Sequence, residues 1–298
     1  MKFSIVIPTY NRADIIAKSL DSICNQTYTN WEIIVVDNAS TDNTAELMAD
    51  YVKRGNIRYI VNEKNYERSY SRNRGMQLAT GDFVSLLDSD DILYPDCLQK
   101  AADFIQSNPD TIFFHCLYEI LGEDYKPIRR DPFPPVTNPF KAIAKGNFIS
   151  NIGVFYRKDL LKQVKFDETP ILIGVEDYDF VLNTILHTGK VERVNEFVCG
   201  IYDHPTRSVY LEQWDKTYKR ITYFLNKQDN NPLFKEKMGR YRNSFHAHIY
   251  LYLATFSAMR KKTVRAFKFI FKAFFKYPAI ITEYTFWKHI FVAIKRMF

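Results

Sequence analysis

The chain has 298 residues, 46% hydrophobic and 25% charged. That excludes a disordered protein and leaves room for one large domain or two small ones. The formal charge of +7 comes from one end: residues 241–298 carry eleven Lys/Arg against a single acid, Glu283, so the rest of the chain is net −3. A slightly acidic body argues against a nucleic-acid partner. Four scattered cysteines (Cys24, Cys97, Cys116, Cys199) without CxxC spacing suit a reducing cytosol better than a disulfide framework.

In chain order, "FSIVIPT" (3–9) reads as a strand, and the segment 13–24 as a helix with Ile16, Leu20 and Ile23 on one face. "WEIIVVD" (31–37) is a second buried strand, and Asn43 and Glu46 stand at capping-box spacing at the head of a helix over 43–54. A third strand (57–63), a short helix (69–79) and a fourth strand, "DFVSLLD" (82–88), follow. Pro95 suits the first turn of a helix through Leu98, Ala102 and Ile105, which makes Tyr94 its N-cap. Strands alternating with helices imply a parallel α/β sheet, in which ligands collect at the carboxyl ends of strands near a switch in strand order. Asp37 and Asp88 fall at two such ends.

Beyond Thr111 the pattern loosens. Strands are expected over 111–121 and 151–158, a Pro-rich loop over 131–140, and a helix over 176–189 ended by Gly189. The N-terminal apolar run is too short for a signal peptide, and no stretch reaches the ~18 continuous apolar residues of a membrane span. The nearest, "NSFHAHIYLYLATFSAM" (243–259), carries two His and reads as a buried helix. In "RKKTVRAFKFIFKAFFK" (260–276), Lys261, Arg265, Lys268, Lys272 and Lys276 form one helical stripe, with Phe267, Ile270, Phe271 and Phe274 opposite. Such a helix suits a membrane surface, or packs its Phe face on the domain with Lys outward; the charge bias favours the membrane.

Within "LLDSDDILYPD" (86–96), three carboxylates crowd into four positions: Asp88, Asp90 and Asp91, around Ser89. A helix capped at Tyr94 begins too late for them to cap it. A solvated turn explains one or two acids, but a hard divalent cation explains a cluster at the end of a buried strand. Mg²⁺ or Mn²⁺ takes one or two carboxylates and fills its shell with water and substrate phosphate. Glu176 and Asp177 open the helix at 176, where acids also gain ~0.3–1 kcal/mol each from the helix dipole alone.

"SIVIPTYNR", "WEIIVVDNASTDNT", "SRNRGMQLATGDFVSLLDSDD" and "VEDYDF", in that order and spacing, resemble the family 2 nucleotide-sugar glycosyltransferases over roughly the first 200 residues. The resemblance implies a GT-A fold, a Rossmann-like mixed α/β sheet flanked by helices, with a C-terminal helical extension. The expected division is a catalytic domain over 1–210 (nucleotide-binding half 1–110, acceptor-binding half 111–210) and a helical region over 211–298. It further implies Pro8, Thr9 and Tyr10 at the nucleotide edge and Asp37 on the uracil, with Asn38 where many relatives carry a second Asp. Arg72, otherwise a surface arginine on a short helix, lies near the nucleotide. Asp88 and Ser89 meet the nucleotide, Asp90 and Asp88 the metal, and Asp91 supports. Asp177 is the base, with Glu176 touching the acceptor or orienting Asp177. His204 completes the metal shell and Arg207 pairs with the diphosphate, unless "YDHPTRSV" (202–209) is a plain exposed loop.

The expected activity is an inverting, Mn²⁺- or Mg²⁺-dependent transfer from a UDP-sugar to a saccharide, expected to be lipid-linked, at the inner face of a bacterial membrane. The protein is then cytoplasmic and peripheral, without nucleic acid, and deleting residues 260–298 leaves a soluble enzyme. The alternatives are a nucleotidyltransferase, for which "PTYNRADI" lacks the usual glycine-rich loop, and a catalytically silent sugar-nucleotide binder.

Overall fold

The computed structural model describes residues 1–131, 133–204 and 213–295. The chain forms two compact units, Met1–Pro135 with Ile149–Arg207, and Val136–Phe148 with Ser208–Phe298. The division is discontinuous, because residues 136–148 leave the first unit and pack in the second.

In the first unit, nine strands among the described residues make one mixed sheet. Its parallel half is β1 (Phe3–Thr9), β2 (Trp31–Asp37), β3 (Ile57–Val61) and β4 (Phe83–Leu86). The helices α1 (Ile16–Cys24), α2 (Thr44–Val52) and α3 (Glu67–Leu78) connect them. The other half holds β5 (Ile92–Leu93), β6 (Phe113–Leu121), β7 (Pro127–Arg129), β8 (Val154–Arg157) and β9 (Glu192–Tyr202). The order along the sheet is β3-β2-β1-β4-β8-β6-β9-β5, with β7 on β6. Strand order reverses between β1 and β4, so the loops leaving these two strands border the crevice where such sheets take ligands.

The strands form where β-branched and aromatic residues run together, and β1 and β4 are buried along their whole length, as strands covered on both faces must be. α3 lies close on β1: a Cβ on Gly75 would stand 2.3 Å from Val6 Cγ1. The helix α4 (Cys97–Ser107) starts later than Pro95 suggests, with Asp96 rather than Tyr94 as N-cap. Gln26 explains the shift: it accepts from the Leu98 N–H (2.9 Å) and donates to Tyr94 O (2.7 Å), securing the first turn from another element. The capping box expected at Asn43 does not form either. Asp42 takes the Thr44 N–H and hydroxyl instead, so Asn43 makes no cap bond. The helix α6 (Glu176–Thr188) ends on Gly189 in the left-handed region (φ 63), where a Cβ is unfavourable.

The second unit is helical: α5 (Pro139–Ile143), α7 (Trp214–Asn230), α8 (Pro232–Met238), α9 (Arg242–Met259), α10 (Thr263–Lys276) and α11 (Tyr284–Lys295). α9 is the buried helix expected over 243–259. Its His246 faces Asp229 (3.0 Å) and His248 faces Glu283 (3.0 Å), giving both buried rings a carboxylate. Among the described residues no helix is long and apolar enough to cross a membrane. α10 packs on α9 through Ala266, Phe269, Ile270 and Ala273, one residue round from the expected face. Phe271 and Phe275 consequently stand 59% and 76% exposed, interleaved with Lys268 and Lys272.

Candidate active site

The loops after β1 and β2 are tied together before any ligand is considered. Asn11, at a left-handed φ of 50, donates its N–H to Ser40 Oγ (2.8 Å), and its amide oxygen accepts from the Thr41 N–H (2.8 Å). Pro8 and Thr9 end β1 in register with Val36 and Asp37. Thr9 is buried with its hydroxyl unpartnered among the described residues, whereas Tyr10 is exposed. Asp37 is also buried; it accepts from the Ser40 N–H (2.8 Å) and from the Tyr59 hydroxyl. Burial, followed by Asp37 itself, pushes the Tyr59 phenol far up, so Tyr59 stays a donor. Asn38 donates to Asn65 (2.6 Å) and accepts from Asn62 (3.0 Å) and from the Tyr66 N–H (2.9 Å). A carboxylate there would accept but not donate, which gives this amide its own structural task.

A second cluster gathers after β4. The turn at Asp88–Asp91 is closed by an Asp91 N–H to Asp88 O bond (3.1 Å), and Ser89 is buried within it. Carboxylate oxygens of Asp88, Asp90 and Asp91 lie within 4.8 Å of one another. Each has a separate protein partner. Arg72 reaches Asp88 (2.7 Å), His204 Nε2 and Arg12 reach Asp90 (3.0 and 3.7 Å), and Asp91 accepts from the Tyr202 N–H (3.0 Å). That last bond draws the end of β9 to the turn, and stacking of His204 on Tyr202 (5.2 Å) holds the imidazole over Asp90.

Arg72 joins this cluster to α6. Fully buried, it sends one nitrogen to Asp88 and another to Asp177 (2.7 Å each), with Glu176 at 3.8 Å. Desolvation alone would lower its pKa, but these acids, Asp88 foremost, hold it firmly protonated. Gly75 makes the reach possible by letting α3 approach β1 so closely. Glu176 is buried too; it accepts from the Gly174 N–H and lies 3.4 Å from Arg68. Asp177 opens onto the cleft with its side chain 39% exposed and also accepts from Asn151. Loss of water on its protein side pushes its pKa up to about 6, with Arg72 opposing and Glu176 and Asp88 adding.

The structure thus brings Arg72, Asp88, Glu176 and Asp177 into one network and Asp90 with His204 into another, adjoining through the 88–91 turn. Arg207 lies outside the described residues. Sequence reading missed Arg12, Arg68, Tyr59 and Asn151. Arg12 and Arg68 sit within or beside the recognised segments and Tyr59 stands on the strand expected over 57–63, but Asn151 precedes β8 in a loop with no motif to mark it. Five carboxylates (Asp88, Asp90, Asp91, Glu176, Asp177) face three arginines (Arg12, Arg68, Arg72). A donor set of carboxylate oxygens with one imidazole beside it, and surplus negative charge, suits a hard divalent cation such as Mn²⁺ or Mg²⁺.

The chain matches the family described as glycosyl transferase family 2 over residues 4–174. It is 31% identical over 245 residues to an uncharacterized glycosyltransferase of Methanocaldococcus jannaschii, covering 78% of this chain and 83% of that one. Over 238 residues it is 28% identical to the Escherichia coli UDP-Glc:α-D-GlcNAc-diphosphoundecaprenol β-1,3-glucosyltransferase WfgD, covering 75% and 90%. Other relatives are longer: the chain spans 18–20% of three rickettsial glycosyltransferases. Staphylococcus aureus TarS 1–349, solved with UDP-GlcNAc, superposes with a TM-score of 0.71 at 22% identity, over 91% of this chain and 81% of that one, which shows a common fold. A match across more than half the chain, together with the shared sheet, establishes that this protein belongs to glycosyl transferase family 2 and has the GT-A fold.

Proposed function

We propose that the protein transfers a sugar from a UDP-sugar to a saccharide hydroxyl with inversion at the anomeric carbon, Asp177 acting as the base. The observation that carries this reading is the Arg72 clasp, which ties the donor-side carboxylate Asp88 to Asp177 through one buried guanidinium. An acceptor hydroxyl has a high pKa and needs a positioned carboxylate to take its proton as the new bond forms. Asp177 is presented for that task by α6, its rotamer set by Arg72 and Asn151. Attack from the Asp177 side, opposite the departing diphosphate, is a single displacement and inverts the centre. Glu176, buried against Arg68 and Arg72, fits an orienting role better than acceptor contact.

Asp88 and Asp90, with His204 beside them, would hold Mn²⁺ or Mg²⁺, and Asp91 would brace the turn. Bound there, the ion supplies Lewis-acid neutralisation of the leaving diphosphate. Thr9, Tyr10, Asp37 and Ser89 line the strand ends where the nucleoside is expected, and TarS, of like fold, has been solved with UDP-GlcNAc. Arg207 is assigned to the diphosphate on the family resemblance alone. The acceptor is proposed to be lipid-linked: WfgD is named for a diphosphoundecaprenol acceptor, and the basic second unit suits peripheral attachment to a membrane.

Mixing the protein with candidate UDP-sugars and Mn²⁺, and following nucleoside diphosphate release, tests the reaction. Asp177→Asn should keep donor binding and lose about 10³-fold or more in turnover, within what a catalytic base supplies. Unchanged turnover in that variant would remove Asp177 from the mechanism. A chelator should abolish release, and Mn²⁺ or Mg²⁺ should restore it.

A further inference from the structure

The second unit carries an open cleft, about 730 Å³ in volume, with no role in the transfer described above. Trp214 and Tyr218, on the first turns of α7, stack at 5.7 Å and form one wall; Phe269 lies 5.8 Å from Trp214 at its base. The other wall is cationic, made by Lys261 and Lys262 from the α9–α10 turn and by Arg265, Lys268 and Lys272 from α10. The turn is fixed by backbone bonds, Lys261 N–H to Ala258 O (2.9 Å) and Lys262 N–H to Ser257 O (3.0 Å). Arg265 lies 4.4 Å over the Trp214 ring.

None of these five cations is paired with an acid among the described residues. Elsewhere in the same unit cations do find partners: Lys145 pairs with Glu283 and Arg242 with Asp229. Like charges held together on an ordered frame repel, and an anion that enters relieves them. Ammonium and guanidinium groups around a small cleft suit phosphate oxygens.

A free anion would leave the surroundings unexplained. Val264, on the cleft rim, is 88% exposed. A second depression, also bordered by Lys268 and Lys272, exposes Phe271 and Phe275. Large apolar side chains interleaved with lysines match a surface whose anionic groups lie directly above hydrocarbon. We propose that this cleft binds the phosphate of an anionic lipid headgroup, with Phe271, Phe275 and Val264 entering the acyl boundary. The proposal rests on the membrane reading above and gives it a defined site.

The test compares binding of the whole protein to phosphatidylcholine vesicles with and without phosphatidylglycerol. Wild type should bind the anionic vesicles strongly and the neutral ones weakly. Lys262→Gln/Lys268→Gln/Lys272→Gln should weaken anionic binding on the order of a hundredfold, from three contacts near a charged surface. The charge-matched control Lys216→Gln/Lys219→Gln/Lys235→Gln, exposed on α7 and α8 and not among the residues that line the cleft, should retain most of the binding. Equal losses in the two triples would overturn the cleft while leaving membrane attachment in place. Failure of the wild type to bind either vesicle would overturn both. Inorganic phosphate that occupies the cleft as tightly as the vesicles do would overturn the lipid assignment.

Discussion

Arg72 has no access to water, yet three carboxylates depend on it. Removing one partner of a buried charge network is costly, because a charge left behind in the interior, here Glu176, stays desolvated without its counter-ion. Arg72→Met is therefore expected to lower stability by about 3–5 kcal/mol, read from the denaturant midpoint, and to depress turnover as well. Arg72→Lys keeps the charge but spans one carboxylate rather than two, so turnover should fall more than stability. Asp177 gives a pH dependence with a definite sign. A base works as the carboxylate, so kcat/KM should rise with pH through a midpoint of about 6 and level off roughly a unit above it. A flat profile between pH 5 and 7, roughly the window set by that pKa, would argue against Asp177.

At the scale of elements, Glu32 on β2 shows how a buried acid fastens strands. It accepts from the hydroxyl of Ser4 on β1 (2.6 Å) and from the N–H and hydroxyl of Thr80 (2.7 and 2.8 Å), and it pairs with Arg58 on β3 (3.1 Å). Burial alone would raise its pKa, but these bonds and Arg58 outweigh that and hold it at about 2. A depressed carboxylate stabilises the fold above its unfolded pKa and ceases to as pH falls through the folded value. Wild type should therefore lose roughly 3 kcal/mol between pH 5 and 2 that Glu32→Gln does not, as measured by unfolding at each pH. The caps teach a related lesson. Asn43 and Tyr94 are placed by local spacing, whereas Asp42 displaces Asn43 through a bond two residues along the chain and Gln26 reaches the first turn of α4 from 72 residues away.

For the whole molecule, the tail is a structural member of the second unit and not an appendage. Phe269 and Ile270 are buried where α10 covers α9, so deleting residues 260–298 strips cover from that helix. The soluble truncated enzyme expected from sequence alone is replaced by an expectation of aggregation. Substitutions on the outer face are the cleaner probe. Phe271→Ser/Phe275→Ser should leave the thermal midpoint within a degree or two, since surface changes usually fall within about 0.5 kcal/mol. Binding to anionic vesicles should drop about tenfold or more, from two aromatic side chains no longer buried in lipid.

Local patterning alone places the parallel half of the sheet, the strand ends at Asp37 and Asp88, the buried α9 and the glycine that ends α6. Those follow from period-2 and period-3.6 patterns and from local backbone preference, which act over a few residues. It also names the five carboxylates that gather at the candidate site, because they stand in short segments with recognisable spacing. Long-range packing is what buries Arg72, brings Asn151 to Asp177 and His204 to Asp90, and turns one side of α10 inward. Each of these is a contact between residues distant in the chain or a choice among helix faces. Neither is encoded in periodicity; both are settled when packing decides which atoms share a desolvated space.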